Sequence, residues 1–519
     1  MDNKISKMYK MINNSNLRVV LESVLVGAVA GLIVSIYRLT LKYINIYTTL
    51  AYDFMRVHWL YIILGLAILM GIGYIVGYMV KKDSMISGSG IPQIEGILTG
   101  YFKSTSPLKI LINKFIGGVL AIGAGLSLGI EGPSIQLGAS FGNLFGNITK
   151  RLKLEKRFLI SSGAGAGLAA AFNAPFAGVM FVLEEVHKKF TPILFVSAIA
   201  ASVTSDLVTW AFFGGKPILD ATGLIAMPFK YYLFLIVLGI LVGFAGAFYN
   251  YILLKTIALY GKIKVSLPIR MMIPFAFAMF FGLFLPEVLG GGNELINQIL
   301  VDGVILKFAI ILLIGKFVFS MISFASGTPG GILFPLLTLG ALIGVIFGEC
   351  SVQFLGVDGT YLINFILLAM AGMFASIVRA PITGLVLVCE MSGSFTEFGP
   401  IVLVCGISYL VAELLKIDPV YEALFKIRLK SQNGKLKEES SGEIMVAYTV
   451  AMGSLIAGKK LKEINLPENA LVVSIEREGD TIIPNGNTVI IAGDCINALV
   501  NEDKEVILRK KLEQLCDLA

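Results

Sequence analysis

The sequence has 519 residues, 56% hydrophobic and 15% charged, with 56 glycines and a mean hydropathy of +0.83, whereas a soluble domain is about 25% charged. An ordinary soluble enzyme is excluded, and at roughly 20 apolar residues per crossing the chain has length for many membrane spans and a soluble domain besides. The 42 basic residues against 35 acidic ones leave a net charge of +7, a basic excess that suits anionic lipid headgroups by default and also an anionic solute.

In chain order, Lys4, Lys7, Lys10 and Arg18 precede an apolar run that starts near Val19. No small-residue cleavage signature follows, so the run reads as a retained first span with its basic flank in the cytoplasm. Apolar runs near 19–50, 58–80, 229–260 and 303–325 are long enough to span. Those at 91–100, 131–146, 175–186 and 331–347 are short and bracketed by Gly or Pro. Broken helices at membrane depth are tolerated where they are buried in protein or line a polar cavity, and they point to a transport site.

An internal repeat is visible in the chain itself. Lys114-Phe115, Gly129, Pro133 and Leu137-Gly138-Ala139 recur 202 positions later as Lys316-Phe317, Gly331, Pro335 and Leu339-Gly340-Ala341. Ala174-Pro175, Gly178 and Glu184 recur 206 positions later as Ala380-Pro381, Gly384 and Glu390. Duplication of a half of about 200 residues follows, and the repeats can be parallel or inverted.

The charge distribution changes after Asp418. Residues 430–519 are about 28% charged with an acidic excess, and the preceding part is about 12% charged with a basic excess, which marks a domain boundary. Lys430 to Ser441 reads as a linker. Ala470–Ile475 and Thr488–Ala492 read as strands separated by the turns Glu478-Gly-Asp480 and Pro484-Asn-Gly486. No hydrophobic stretch separates this tail from the spans, so an even number of crossings and a cytoplasmic tail are expected. Five cysteines without paired spacing and two histidines, His58 and His187, assemble no metal or haem site.

Three turns share one design, glycines followed by a proline expected at the first position of a helix: Gly88-Ser-Gly-Ile-Pro92, Gly129-Ile-Glu-Gly-Pro133 and Gly330-Gly-Ile-Leu-Phe-Pro335. Glycine lets backbone amides turn toward a ligand, and the positive end of the helix dipole makes the turn an anion site without a full charge. Glu131 lies in the second turn and is the only acidic residue between Glu95 and Glu155. A carboxylate there would occupy the cradle an anion would use, so its protonation would release the cradle and couple protons to anions; the competing reading is a loop glutamate at the membrane surface. Lys114 and Lys316 either draw anions inward or snorkel and pair with a carboxylate, Glu95 being the candidate for Lys114.

Together with Gly163-Ala-Gly-Ala-Gly-Leu-Ala-Ala-Ala-Phe-Asn-Ala-Pro175 and Glu184-Glu185, these motifs resemble, in order, those of the CLC family of chloride channels and proton/chloride exchangers over about residues 18–428. The resemblance implies an all-α polytopic membrane protein, with broken and re-entrant helices in two inverted halves (about 18–212 and 229–428), and a homodimer with one anion pathway per subunit. By motif, Ser89 would give a hydroxyl to the anion, Ile332 and Leu333 backbone amides, and Tyr421 a phenol. Glu131 would be the external gate and Glu185 the internal proton-transfer acid, its neighbour Glu184 lying about 100° away on a helix. Without the resemblance, Glu184-Glu185 before His187-Lys188-Lys189 reads as a solvated helix end. Serine at 89 with the tyrosine fits the chloride pattern, while Ile130 stands where the family commonly has Arg or Lys.

The tail resembles the TrkA C-terminal domain (RCK_C) through Gly453-Ser-Leu-Ile-Ala-Gly458, Leu466-Pro467, Ile475-Glu-Arg-Glu-Gly479 and Pro484 before Gly493-Asp494. That implies a small α+β regulatory domain for a nucleotide such as cyclic di-AMP, or a module that reinforces the dimer. The expected organisation is a cytoplasmic segment (1–17), a transmembrane domain (18–428), a linker (429–441) and a cytoplasmic tail domain (442–519). The expected function is chloride transport across the cell membrane by proton antiport, with no enzymatic activity, no cofactor and no nucleic-acid partner. The alternative is a passive chloride channel gated by protonation, against which Glu185 speaks, since a channel needs no inner proton entry.

Overall fold

The computed structural model describes residues 2–102, 106–188, 190–432, 443–467, 470–477, 480–501 and 504–517. They form two compact units that divide near Lys426, the short stretch 99–103 grouping with the second. Most of the expected linker lies outside the described residues.

The membrane unit is built from two sets of eight helices. The first set is α1 (Asp2–Val57), α2 (Tyr61–Lys82), α3 (Ile91–Thr99), α4 (Pro107–Gly123), α5 (Glu131–Ile148), α6 (Lys153–Phe172), α7 (Pro175–Phe181) and α8 (Pro192–Phe213). The second is α9 (Tyr232–Lys262), α10 (Leu267–Phe284), α11 (Asn293–Asp302), α12 (Leu306–Ala325), α13 (Leu333–Leu355), α14 (Leu362–Val378), α15 (Pro381–Ser392) and α16 (Phe398–Leu414), followed by α17 (Val420–Gln432). Among the described residues, eight helices are long and apolar enough to cross a membrane. They include α8, α10 and α14, which the apolar runs singled out above do not cover. The segment expected to be a short broken helix at 331–347 is instead the start of the 23-residue α13. No breaker stops it before Gly356, which takes the left-handed φ of 68°.

Counterparts keep the same roles in both halves. The long α1 packs on α8 as α9 packs on α16, and α5 packs on α6 as α13 packs on α14. Small residues make the second pairing close: a Cβ at Gly138, Gly142 or Gly167 would overlap the facing helix backbone, as would one at Gly340 or Gly344. Asn173 and Arg379 end α6 and α14 in the left-handed conformation, at φ 48° and 68°, and send the chain into α7 and α15. Counterparts also touch directly, α2 on α10, α5 on α13 and α7 on α15.

The halves meet about a local twofold axis. Gly129 N–H donates to Gly331 O (2.9 Å) and Gly331 N–H to Gly129 O (2.7 Å). An antiparallel bridge between a residue and its own repeat counterpart requires such an axis. The same exchange recurs when Gly88 N–H donates to Gly327 O and Gly290 N–H to Gly125 O. It recurs again where the Glu390 carboxylate accepts from Phe176 and Ala177 N–H at the start of α7, and Glu184 accepts from Ile382 and Thr383 N–H at the start of α15. The N-termini of α5 and α13 face each other at this axis, so the halves are inverted.

The second unit carries a four-stranded antiparallel sheet in the order β1 (Glu443–Thr449), β4 (Cys495–Asn501), β2 (Leu471–Arg477), β3 (Asp480–Ile482). Helix α18 (Glu505–Cys516) packs on β1. Val446, Ile475, Ile496, Leu508 and Leu512 form its core. The strand expected at Ala470–Ile475 is β2. The one expected at Thr488–Ala492 is not a ladder strand: it bridges once, at Val489, to Lys460 and runs into a turn at Ala492. Its amides and carbonyls pair with 458–461 instead, through Gly458 N–H to Ile490 O, Ile490 N–H to Lys459 O and Leu461 N–H to Thr488 O. Part of the expected Glu478-Gly-Asp480 turn lies outside the described residues.

Candidate anion and proton site

The three glycine turns converge. Gly330 N–H donates to Gly88 O (3.1 Å), joining the third turn to the first, and the Gly129–Gly331 bridge joins the second to the third. Gly132 lies against Ser89 so closely that a Cβ on it would press into the Ser89 backbone and side chain. The prolines fall at the second (Pro92) and third (Pro133, Pro335) helical positions rather than the first. All remain in the first turn, where amides have no intrahelical acceptor. Ahead of Pro133 and Pro335 the amides are therefore left to face a ligand, whereas the Ile91 N–H ahead of Pro92 donates to Ser89 Oγ.

Glu131 is the first residue of α5 and is wholly buried. Its Oε1 accepts a 2.6 Å hydrogen bond from the backbone N–H of Leu333, the first residue of α13 and the repeat counterpart of Glu131 itself. Its Oε2 has no hydrogen-bond partner among the described residues. A Cβ at Gly129 or Gly331 would overlap the Glu131 carboxyl, so both positions must be glycine for the side chain to sit there. The carboxylate thus occupies the helix N-terminus expected to hold an anion, and the surface-loop reading of Glu131 does not describe it.

The other expected residues lie around this seat. Ser89 is buried between Gly88 and Gly90, which take φ of 62° and 92°, and its Oγ accepts from Ile91 N–H (3.3 Å). Ile332 is buried immediately before α13. Tyr421 is wholly buried at the start of α17, and its hydroxyl has no hydrogen-bond partner among the described residues. The charges of both Glu131 and Glu185 reach it. Tyr421 therefore sits in the fields of both expected proton-transfer acids.

Glu185 lies in a single π-helical stretch, Val182–Val186, that continues α7, and it is 5% exposed. Such stretches insert one residue into a helix and recur at functional sites. Glu184 caps α15, so the two adjacent carboxylates do different things, as their angular separation requires. Lys188 pairs with Glu95 at 2.9 Å and approaches Glu185 at 3.9 Å. This corrects the expected Glu95–Lys114 pair: the Lys114 ammonium donates to Ile86 O (3.0 Å) and Gly88 O (2.5 Å). Lys316 does the same to Val288 O (3.0 Å) and Gly290 O (2.7 Å) in the other half. Because a peptide C=O and the following N–H point in opposite directions, holding Gly88 O turns the Ser89 amide away from the lysine. The buried lysines orient the turns rather than snorkel.

Two residues with no sequence signal also belong to this region. Tyr37 and Tyr249 are wholly buried tyrosines within apolar helices, and the charge of Glu131 reaches both. Nothing in their local sequence distinguishes them from packing aromatics.

Residues 72–413 match the family model described as voltage gated chloride channel, and residues 445–504 match that of the TrkA-C domain. The chain is 31% identical over 430 residues to a protein named H(+)/Cl(-) exchange transporter ClcA of Klebsiella pneumoniae (strain 342), covering 81% of this chain and 90% of that one. It is 33% identical over 438 residues to a protein of the same name from Vibrio cholerae serotype O1 (strain M66-2), covering 80% and 90%. The structure of a slow cyanobacterial Cl-/H+ antiporter superposes with a TM-score of 0.76 at 27% identity, over 80% of this chain and 99% of that one. A eukaryotic CLC transporter, at 20% identity and a TM-score of 0.65 over 79% of this chain and 74% of that one, shares the fold.

Proposed function

Because the chain belongs to the voltage-gated chloride channel family, we propose that it is a multi-pass membrane transporter that exchanges chloride for protons. The observation that carries this reading is the Glu131 carboxylate seated on the Leu333 amide where the three glycine turns meet. Carboxylate and chloride are both acceptors for the same N–H. While Glu131 is ionised it holds the amide; once protonated it loses the charge-assisted part of that bond, and chloride takes its place. Return of the carboxylate expels the anion and follows loss of the proton. Ser89, Tyr421 and the amides of Ile332 and Leu333 then hold the anion, Glu131 gates it and exchanges protons on the outer side, and Glu185 receives protons on the inner side. A passive channel would need Glu131 alone and leaves buried Glu185, beside Lys188 and Glu95, without a task.

Further parts of the reading rest on the family and the tail. The transmembrane domain spans 18–428 and works as a homodimer in the plasma membrane, with both termini cytoplasmic. The tail domain from 442 onward binds a small regulatory ligand, a nucleotide such as cyclic di-AMP. Purified protein in liposomes with an imposed chloride gradient and a pH electrode tests the central claim. Chloride running down its gradient should drive protons uphill; chloride flux without uphill proton movement would refute antiport and leave the channel.

A further inference from the structure

Tyr37 on α1 and Tyr249 on α9 combine complete burial, symmetry and unused hydroxyls. Neither hydroxyl has a hydrogen-bond partner among the described residues. Tyr37 stands edge-on to Phe115, with ring centroids 5.2 Å apart and an interplanar angle of 65°, and Tyr249 stands edge-on to Phe317 at 6.1 Å and 79°. Phe115 and Phe317 are repeat counterparts that directly follow the carbonyl-holding Lys114 and Lys316. The two tyrosines thus occupy equivalent places in the two halves.

A phenyl ring would fill the same space without burying an unmated hydroxyl, which is costly. Packing therefore does not explain a phenol in both halves. Room is made for one of them: a Cβ on Gly118 would overlap the Tyr37 hydroxyl. Buried polar atoms of this kind are ordinarily satisfied by water.

We propose that Tyr37 and Tyr249 are positioning residues for proton transfer at Glu131, their hydroxyls holding water that solvates the Glu131 carboxyl once an anion has displaced it from the Leu333 amide. The proposal rests on the reading of Glu131 as the gate. A carboxyl leaving that amide needs other donors. The tyrosines within electrostatic reach of it are Tyr37 on α1, Tyr249 on α9 and Tyr421 on α17. On α4 and α12, Lys114 and Lys316 are engaged with carbonyls. On the π-helical stretch, Glu185 shares Tyr421 with it. With Tyr421 given to the anion, the phenols left are Tyr37 and Tyr249. A phenol both donates and accepts, so a water it holds can donate to the carboxylate or take the proton from the carboxylic acid and pass one on to the next water. The phenol keeps its own proton throughout.

The test uses Tyr37→Phe, Tyr249→Phe and the double variant in the full chain, each keeping its ring, with chloride and proton fluxes recorded together in liposomes across the acid to neutral range. In the double variant the ratio of protons to chloride should fall by about two- to fivefold while chloride flux persists. The pH of half-maximal chloride flux should fall by about one unit, because the displaced, protonated carboxyl loses the water that solvates it while the ionised carboxylate keeps the Leu333 amide. An unchanged ratio and an unchanged midpoint would overturn the proposal; so would a parallel loss of both fluxes, which would place the hydroxyls in anion passage or packing. If the unsubstituted protein moves no protons, the antiport reading fails on that control, and the midpoint alone decides the role of the phenols.

Discussion

Replacing Glu131 by alanine removes an internal competitor for the anion seat, and its effect can be sized. The bond from Leu333 N–H to Glu131 Oε1 is 2.6 Å long and wholly buried, and hydrogen bonds to charged groups contribute about 1.5–3 kcal/mol net. An anion that must first displace such a ligand binds more weakly by the corresponding factor, about 10- to 150-fold at 1.4 kcal/mol per tenfold. Glu131→Ala should therefore bind chloride about 10- to 150-fold more tightly at neutral pH, measured by isothermal titration of the purified full chain. The advantage should shrink at acid pH, where protonation of Glu131 in the parent removes the charge that strengthens the bond. In liposomes the variant should carry chloride without moving protons. Chloride affinity that does not rise, or uphill proton movement that survives, would refute the competition between carboxylate and anion.

Lys114→Met leaves Ile86 O and Gly88 O without their ammonium donor and should lower stability in detergent by about 1–3 kcal/mol, read as a lower unfolding temperature, with weaker chloride binding because the Ser89 amide loses its orientation. In the tail domain, burial acts to raise the pKa of Asp494, but the paired bonds from Arg477 (both 2.8 Å) and the Ile491 N–H outweigh it and hold the carboxyl below its usual range. A depressed carboxyl stabilises above its unfolded pKa of about 3.9 and loses that contribution as pH falls through the folded value. Hydrogen-exchange protection of β4 should accordingly be full at neutral pH and decline below about pH 4, and Asp494→Asn should lower it at neutral pH and flatten the dependence. Protection that grows on acidification would contradict the assignment.

What the sequence discloses is set by how far each contact reaches. The three glycine turns, the duplicated motifs and Glu131 are local patterns, and the structure joins them into one seat. Beyond them, the offsets of 202 and 206 announce a duplication but not which residues exchange partners across the axis. Glu184 and Glu390 are recognisable as counterparts, yet that each caps the other half's helix depends on the fold. Lys114 donates to carbonyls, and Glu95 is paired by Lys188 from a distant segment. Tyr37 and Tyr249 lie 212 positions apart, an offset that neither motif shares, so their equivalence emerges only through the phenylalanines they touch. The length of α13 was hidden by its glycine-rich start, since a turn at one end says nothing about where the next breaker falls.

The contact between Glu131 and Leu333 also bears on the origin of the pathway. The carboxylate rests on the amide of its own counterpart, so an ancestral pair of identical halves with a glutamate in this place would have set two carboxylates against each other across the axis. Two such charges in one dry site cannot both ionise, and the pair would have shared a proton instead of guarding an anion. Only one of the two positions carries an acid here, its counterpart being Leu333. Glu185 follows the same rule, its counterpart being Met391. The one-sided placement of both acids breaks, in charge alone, a symmetry that the backbone still keeps.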